Sequence, residues 1–345
     1  MDFQQNVSLA ERSTMRLGGT ADWLVTVRNR FEVGTAVKWA AERNLPVLMI
    51  GSGSNIVWRD EGFRGLIIVN AILGYEDFAE DARSHYVTVG AGEEWDSVVA
   101  RTVKSGLTGI EALSLIPGSA GATPVQNVGA YGQEISQTLT SVEVYDRQTD
   151  QLKNIPTEAC GFGYRKSLFQ TEFRGNYFIT GITLHLRAAN PTPPFYGAVQ
   201  QYFELHGITT PTPSQLREAV IAIRQAKLPD PKTVANNGSF FANPVIPSSL
   251  LVQLRGSYPE MPCWPNDDGS AKIPAAWLIE QAGFKDFHDP ETGIATWPTQ
   301  PLVLINESAK STADLLAFKA KVIAAVQEKF SINLVQEPEL LPATK

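Results

Sequence analysis

Metal spacings, paired cysteines, basic blocks and long apolar runs are all missing from this sequence, and each absence removes a class of function. The chain has 345 residues but only two cysteines, Cys160 and Cys263, and four scattered histidines. They form no zinc spacing and no disulfide framework, so no metal and a reducing compartment are expected. No run reaches the roughly 18 apolar residues that a membrane span needs. The start, MDFQQNVSLAERST, has neither an apolar signal core nor an arginine-rich amphipathic pattern, so a cytoplasmic protein is expected. With a net charge of −7 and no cluster of lysine or arginine, nucleic acid and anionic membrane are poor partners. No Gly-x-Ser-x-Gly elbow is present, and no histidine is obviously paired with a serine, which argues against serine hydrolase chemistry.

What remains is a chain with 43% hydrophobic residues, enough for two or three domains. Helical periodicity runs from Phe31 to Arg43, with Val33, Val37, Ala40 and Ala41 on one face, and from Glu94 to Ser105, with Gly106 placed to stop it. Ser214 is positioned to cap a helix bearing Leu216, Ala219, Val220 and Ile223. The prolines of Lys227-Leu-Pro-Asp-Pro231 end that helix and mark the main domain boundary. Pro274 suits the start of a helix through Gln281. Ser311 and Asp314 form a partial capping box for a helix with Leu315, Phe318, Val322, Ile323 and Val326 on its face. Short apolar runs at 46–50, 56–58, 66–69, 86–89, 141–145, 177–186 and 332–335 read as strands, and Glu337-Pro-Glu339 as the end of the ordered chain.

The stretch from Ile116 to Gly132 follows neither periodicity. Glycine or alanine fills seven of its seventeen positions, and it contains no charged residue. Two readings are open: a backbone that approaches a flat or phosphorylated ligand, or a buried connection packed on another backbone. Gly51-Ser-Gly-Ser-Asn55 follows a strand and could cradle a phosphate, but it is neither a P-loop nor a dinucleotide fingerprint, and a plain tight turn explains it as well. Arg165 could bind a carboxylate with its planar fork or belong to a surface basic pair with Lys166. Ser239 follows an Asn-Asn-Gly turn and precedes Phe240 and Phe241. It is either a hydroxyl held above a buried aromatic floor or a simple turn into a strand. Phe195-Tyr196-Gly197 lies in a proline-rich loop, which suits a linker or a lid.

Six motifs occur in a fixed order: Gly51 to Asn55, Ile116 to Tyr131, Tyr164-Arg165, Lys227 to Pro231, Gly238-Ser-Phe-Phe-Ala-Asn-Pro244 and Glu337-Pro-Glu339. Together they resemble the UDP-N-acetylenolpyruvoylglucosamine reductase family, from about Asn6 to Glu339. The tyrosine loop is similar to the branch that closes a tyrosine over the substrate. The resemblance implies an α+β fold of three domains. Residues 1–70 and 71–226 would form an FAD-binding module of the vanillyl-alcohol-oxidase type, and 227–345 a substrate-binding domain. It also implies non-covalent FAD, NADPH as co-substrate and a UDP-sugar as substrate, in the route to bacterial peptidoglycan. A monomer is expected.

By the same resemblance, Gly51, Gly53, Ser54 and Asn55 hold the cofactor's pyrophosphate. Ile116, Pro117, Gly118, Gly121 and Ala122, with Gln126, Asn127, Gly129 and Tyr131, line the flavin. Arg165 and Glu339 act on the substrate carboxylate, with Glu337 as the alternative to Glu339, and Ser239 protonates the carbanionic carbon. Tyr196, Lys227 and Asn243 grip the nucleotide diphosphate, Arg224 assists one helical turn before Lys227, and Tyr164 lies in the substrate site. The chain departs from the family pattern at Ala242, where many relatives carry lysine, and at Leu341, where they often carry arginine. A flavin oxidase or dehydrogenase of the wider superfamily is the alternative. Covalent flavin attachment is disfavoured because no histidine falls in the flavin stretches, and a non-catalytic UDP-sugar binder would not need Ile116 to Tyr131.

Overall fold

The computed structural model describes residues 1–343. The chain forms two compact units. The first comprises 1–7, 21–53 and 63–226; of the described residues, the second comprises 8–20, 54–62 and 227–343. The fold is α+β.

In the first unit, strands Thr20–Val27, Phe63–Asn70 and Val47–Ile50 pair in parallel, as expected of strands joined by a crossover helix. That helix, α1 (Arg30–Ala41), starts where the Asn29 side chain accepts the Glu32 N–H at 3.0 Å. Its Val33, Ala36, Val37 and Ala40 pack against Val25, Val27, Leu66 and Ile68. A second, antiparallel sheet runs in the order Gln151–Pro156, Leu139–Asp146, Tyr177–Ala188, Ser84–Gly90, Tyr75–Ala79, with Leu107–Thr108 on the long central strand. Helix α2 (Trp95–Lys104) covers it with Trp95, Val98, Val99 and Val103. Gly106, at φ +74°, follows its end as anticipated. Helices α3 (Gly197–Leu205) and α4 (Pro213–Lys227) share a smaller core of Val199, Phe203, Leu216, Ala219 and Val220 with Ala112. The expected cap of α4 is corrected: Ser214 lies inside the helix. Thr212 accepts the Gln215 N–H at 3.3 Å, and the Gln215 side chain returns to the Thr212 N–H at 2.9 Å.

In the second unit, strands Ala235–Ser239, Gln300–Asn306, Ile294–Trp297 and His288–Asp289 form one antiparallel sheet. Helices α5 (Ser248–Ser257), α6 (Ala275–Gln281) and α7 (Thr312–Phe330) surround a core that also takes Met15, Leu17 and Val57 from the two early segments. Leu315, Phe318, Val322, Val326 and Phe330 supply the buried face of α7, while Ile323 is only partly buried. Ser311 and Asp314 form the capping box reciprocally.

Asp60 adds a second cap to α7. Its two carboxylate oxygens accept the N–H groups of Thr312 at 2.7 Å and Ala313 at 2.9 Å, placing negative charge at a helix N-terminus. Asp60→Ala is therefore expected to cost about 1–2 kcal/mol, read as a lower urea midpoint with an unchanged m-value.

The C-terminal expectation is also corrected. Residues 332–335 do not pair as a strand; the ladder forms later, where Glu339–Leu341 runs parallel to Ile56–Trp58. Among the described residues, no helix is long and apolar enough to cross a membrane.

Candidate active site

The stretch from Ile116 to Gly132 divides into two kinds of backbone. Ala120 and Gly121 are buried against the turn after Ser84–Gly90. The Gly121 N–H donates to the Ala91 carbonyl at 2.9 Å, and a β-carbon on Gly121 would fall 2.5 Å from that of Ala91. Here the packed-backbone reading holds. Ser119, Thr123, Pro124 and Asn127 are buried too, whereas Pro117 is exposed and Ile116, Gly118, Ala122 and Gln126 are half-buried. Gly118 takes φ +141°, a conformation that L side chains rarely adopt.

The two glycine motifs meet. A β-carbon on Gly51 would lie 2.2 Å from Ser119 Oγ, so any side chain there must displace the Ser119 hydroxyl. Gly53 is buried at φ +74°. These small, uncharged, closely apposed backbones suit a cofactor that combines a phosphate with a flat ring. Gly51→Val must push Ser119 aside and is expected to cost about 1–3 kcal/mol of stability; a lower urea midpoint checks it.

Asn127 is 1% exposed, and its amide is committed to protein groups. Nδ2 donates to Glu134 Oε2 at 2.8 Å and to the Gly163 carbonyl at 3.1 Å, while Oδ1 accepts the Ser136 N–H at 3.2 Å. It thereby ties the glycine-rich stretch to the Gly163–Lys166 turn. In that turn Arg165 takes φ +52°, and its Nη2 donates to the Gly129 carbonyl at 2.9 Å. The Arg165 guanidinium carbon stands 5.3 Å from the centre of the Tyr164 ring, which is 42% exposed. Arg165 is thus aimed onto the stretch, unlike its exposed neighbour Lys166.

The hairpin Gly129–Ala130 and Gln133–Glu134 turns at Tyr131, whose ring meets that of Tyr196 edge-on at 5.5 Å. Burial raises the Tyr131 hydroxyl pKa, against the opposing charge and hydrogen bond of Arg224. Burial also lowers the pKa of Arg224, and its Nε finds no hydrogen-bond partner among the described residues. Beside it, Arg217 forms a two-pronged pair with Asp96, at 2.6 and 2.9 Å. Burial would raise the Asp96 pKa, but hydrogen bonds from Arg217 and the Leu115 N–H, with the charges of both arginines, hold it below the usual carboxylate range.

In the second unit, Ser239 ends the strand Ala235–Ser239 next to a bulge. Gly238 sits at φ +69°, and Asn236 Oδ1 accepts its N–H at 2.8 Å. Phe240 and Phe241 are fully buried in the core of the second unit, while Ser239 stays half-exposed. Asn237 anchors this strand: its Nδ2 lies 3.1 Å from the Ser54 carbonyl, 3.2 Å from that of Ile56 and 3.1 Å from Thr14 Oγ1. The Glu339 N–H donates to the Asn55 carbonyl at 2.9 Å. The elements carrying Ser239 and Glu339 are therefore both pinned to residues 54–56. Glu337 donates its N–H to the Phe240 carbonyl, and Leu341 is buried. Asn243 Oδ1 accepts the Ala275 N–H at 2.9 Å at the start of α6, leaving Nδ2 as the donating end of its amide. The Lys227 carbonyl accepts Thr299 Oγ1 at 2.8 Å, and its side chain is exposed.

Residues 21–153 match the model of an FAD binding domain, and residues 230–341 match that of the UDP-N-acetylenolpyruvoylglucosamine reductase C-terminal domain. A protein of Pseudomonas fluorescens named UDP-N-acetylenolpyruvoylglucosamine reductase is 37% identical over 99% of both chains. The chain belongs to the UDP-N-acetylenolpyruvoylglucosamine reductase family. A protein of the same name from Amoebophilus asiaticus is 38% identical over 99% of each chain. The crystal structure of the reductase from Thermus caldophilus shares the fold, with a TM-score of 0.68 at 23% identity over 99% of this chain and 100% of that one. The protein is a flavin-dependent oxidoreductase of this family, and its cofactor is FAD.

Three side chains of these sites escaped the sequence reading: Asp96, Arg217 and Asn237. The spacing of Arg217 and Arg224, seven residues apart on α4, puts two arginines on one helical face and was the one available signal. Nothing in sequence marks Asp96, which lies 121 residues from Arg217.

Proposed function

We propose that the chain reduces UDP-N-acetyl-3-O-(1-carboxyvinyl)-glucosamine to UDP-N-acetylmuramate with NADPH, a cytoplasmic step of peptidoglycan synthesis carried out by a monomer. The supporting observation is the seating of Ser239. It stands half-exposed at a glycine bulge, followed in the chain by two fully buried phenylalanines, on a strand fixed by Asn237 to the segment that also binds the Glu339 backbone. Residues 51–55 and 116–131 would hold FAD non-covalently, and the bound cofactor would supply the hydride relay between NADPH and the enol ether.

The chain's own residues handle the charge that results. Hydride addition at the methylene carbon of the substrate leaves negative charge on the adjacent carbon and its carboxylate. Arg165 meets that carboxylate with a guanidinium already oriented by the Gly129 carbonyl. Glu339 approaches the same group, which favours a protonated carboxyl or a hydrogen-bonding role over a second full negative charge. Ser239 gives a proton to the carbanionic carbon. A hydroxyl is a weak acid in water, but it suffices for a strong base held at a fixed distance. Tyr196, Arg224, Lys227 and Asn243 grip the diphosphate, and Tyr164 lies beside the substrate. The division into FAD-binding segments 1–70 and 71–226 and a substrate-binding segment 227–345 belongs to this reading.

Anaerobic stopped-flow absorbance tests it. NADPH should bleach the bound flavin, and the enolpyruvyl sugar nucleotide should restore its colour. Recolouring by oxygen alone would overturn the reading in favour of an oxidase.

A further inference from the structure

Around Arg224 the charges do not balance. Asp96 carries one negative charge, Arg217 and Arg224 one positive charge each. Arg217 already donates to both Asp96 oxygens, at 2.6 and 2.9 Å, and the Leu115 N–H donates a further hydrogen bond to Asp96 Oδ1 at 2.5 Å. The Asp96 and Arg217 side chains are only 25% and 15% exposed, so solvent screens the pair weakly. Arg224, two turns further along α4, is left with a buried Nε lacking a partner among the described residues and with the Tyr131 hydroxyl beside it. Arg224 keeps a hydrogen bond to Tyr131 and a through-space attraction to Asp96, but that carboxylate is already hydrogen-bonded to Arg217, and a largely buried guanidinium compensated only in part is costly unless an anion completes it.

We infer that Asp96 and Arg217 are positioning residues for anion binding: Arg217 saturates Asp96, so that the charge of Arg224 stays available to the diphosphate of the substrate. The pair works as a lock on a carboxylate that would otherwise turn to Arg224. This rests on the reading of Arg224 as part of the diphosphate grip.

The alternative is that the pair only clamps α2, α4 and Leu115 together, and the two ideas part on a double substitution. Arg217→Gln frees Asp96 to neutralise Arg224, so KM for the UDP-sugar should rise roughly tenfold or more, while kcat at saturating substrate stays within about threefold. Asp96→Asn in the same protein removes the competing charge and keeps Oδ1 as an acceptor for Leu115. The double variant Asp96→Asn/Arg217→Gln should therefore bring KM back to within about threefold of the unsubstituted holoenzyme. A simple clamp predicts the opposite, because the double variant lacks both halves of the ion pair. A KM as high in the double variant as in Arg217→Gln overturns the inference.

If Arg217→Gln does not retain flavin, Asp96→Asn alone decides. The lock predicts an equal or lower KM for the UDP-sugar, and a raised KM overturns it. Arg224→Gln separates this inference from the reading beneath it. If that variant leaves KM unchanged, Arg224 does not grip the substrate. If it raises KM but the double variant shows no rescue, the lock alone is wrong.

Discussion

Ser239→Ala is expected to slow flavin reoxidation by the enolpyruvyl sugar nucleotide by roughly 10²–10⁴-fold, while reduction by NADPH keeps its rate. The substitution removes one oxygen from a half-exposed position and leaves the backbone as it is. The bulge depends on Gly238 and on the Asn236 side chain, and the adjoining core on Phe240 and Phe241, none of which the substitution changes. Stability should therefore hardly change, and melting temperature provides the control. Stopped-flow absorbance separates the half-reactions. A similar loss in both would show that Ser239 supports the site as a whole and does not deliver a proton. Replacing the hydrogen isotope offers a second handle: a solvent isotope effect on reoxidation should shrink in the variant once another donor, such as water, takes over.

Arg165→Ala should lower the same half-reaction by roughly 10²–10³-fold. The size follows from where the charge develops. A guanidinium facing a carboxylate that is turning into an enolate is worth more in the transition state than in the ground state, so the loss falls on kcat as well as KM. Arg165→Lys should recover little. Arg165 is held by a bond from Nη2 to the Gly129 carbonyl and lies beside the Tyr164 ring, and an ammonium cannot reproduce that planar fork. Unchanged reoxidation in Arg165→Ala would remove the residue from the site.

Local physics explains which features could be read from sequence. Helices α2 and α7 declare themselves, because their apolar periodicity and their caps lie within a few residues of each other. The cap of α4 was displaced by two positions, since Thr212 and Ser214 both satisfy the local rule and only the fold chooses between them. Residues 332–335 show why alternation is an incomplete signal. Ile332 and Leu334 are indeed buried while Asn333 and Val335 are exposed, yet no ladder forms there. A period of two reports burial, not a partner strand. In the site, the glycine-rich stretch was legible because composition alone makes it unusual. Its division between packing, at Gly121 on Ala91, and open backbone, around Pro117, was not. The hold of Asn127 on the Gly163 turn and that of Arg217 on Asp96 depend on contacts between segments distant in the chain, which no local pattern encodes.

The strand Ile56–Trp58 has a consequence for the order of synthesis. Val57 and Trp58 are fully buried, and the hydrogen-bonded partner of their strand is Glu339–Leu341. On a ribosome, that partner emerges roughly 280 residues later, which at ordinary elongation rates means a wait on the order of tens of seconds. Until then an apolar strand near the beginning of the chain has no edge to pair with. For the same reason, trimming only the last seven residues would reach back to position 56 and leave that early strand without its mate.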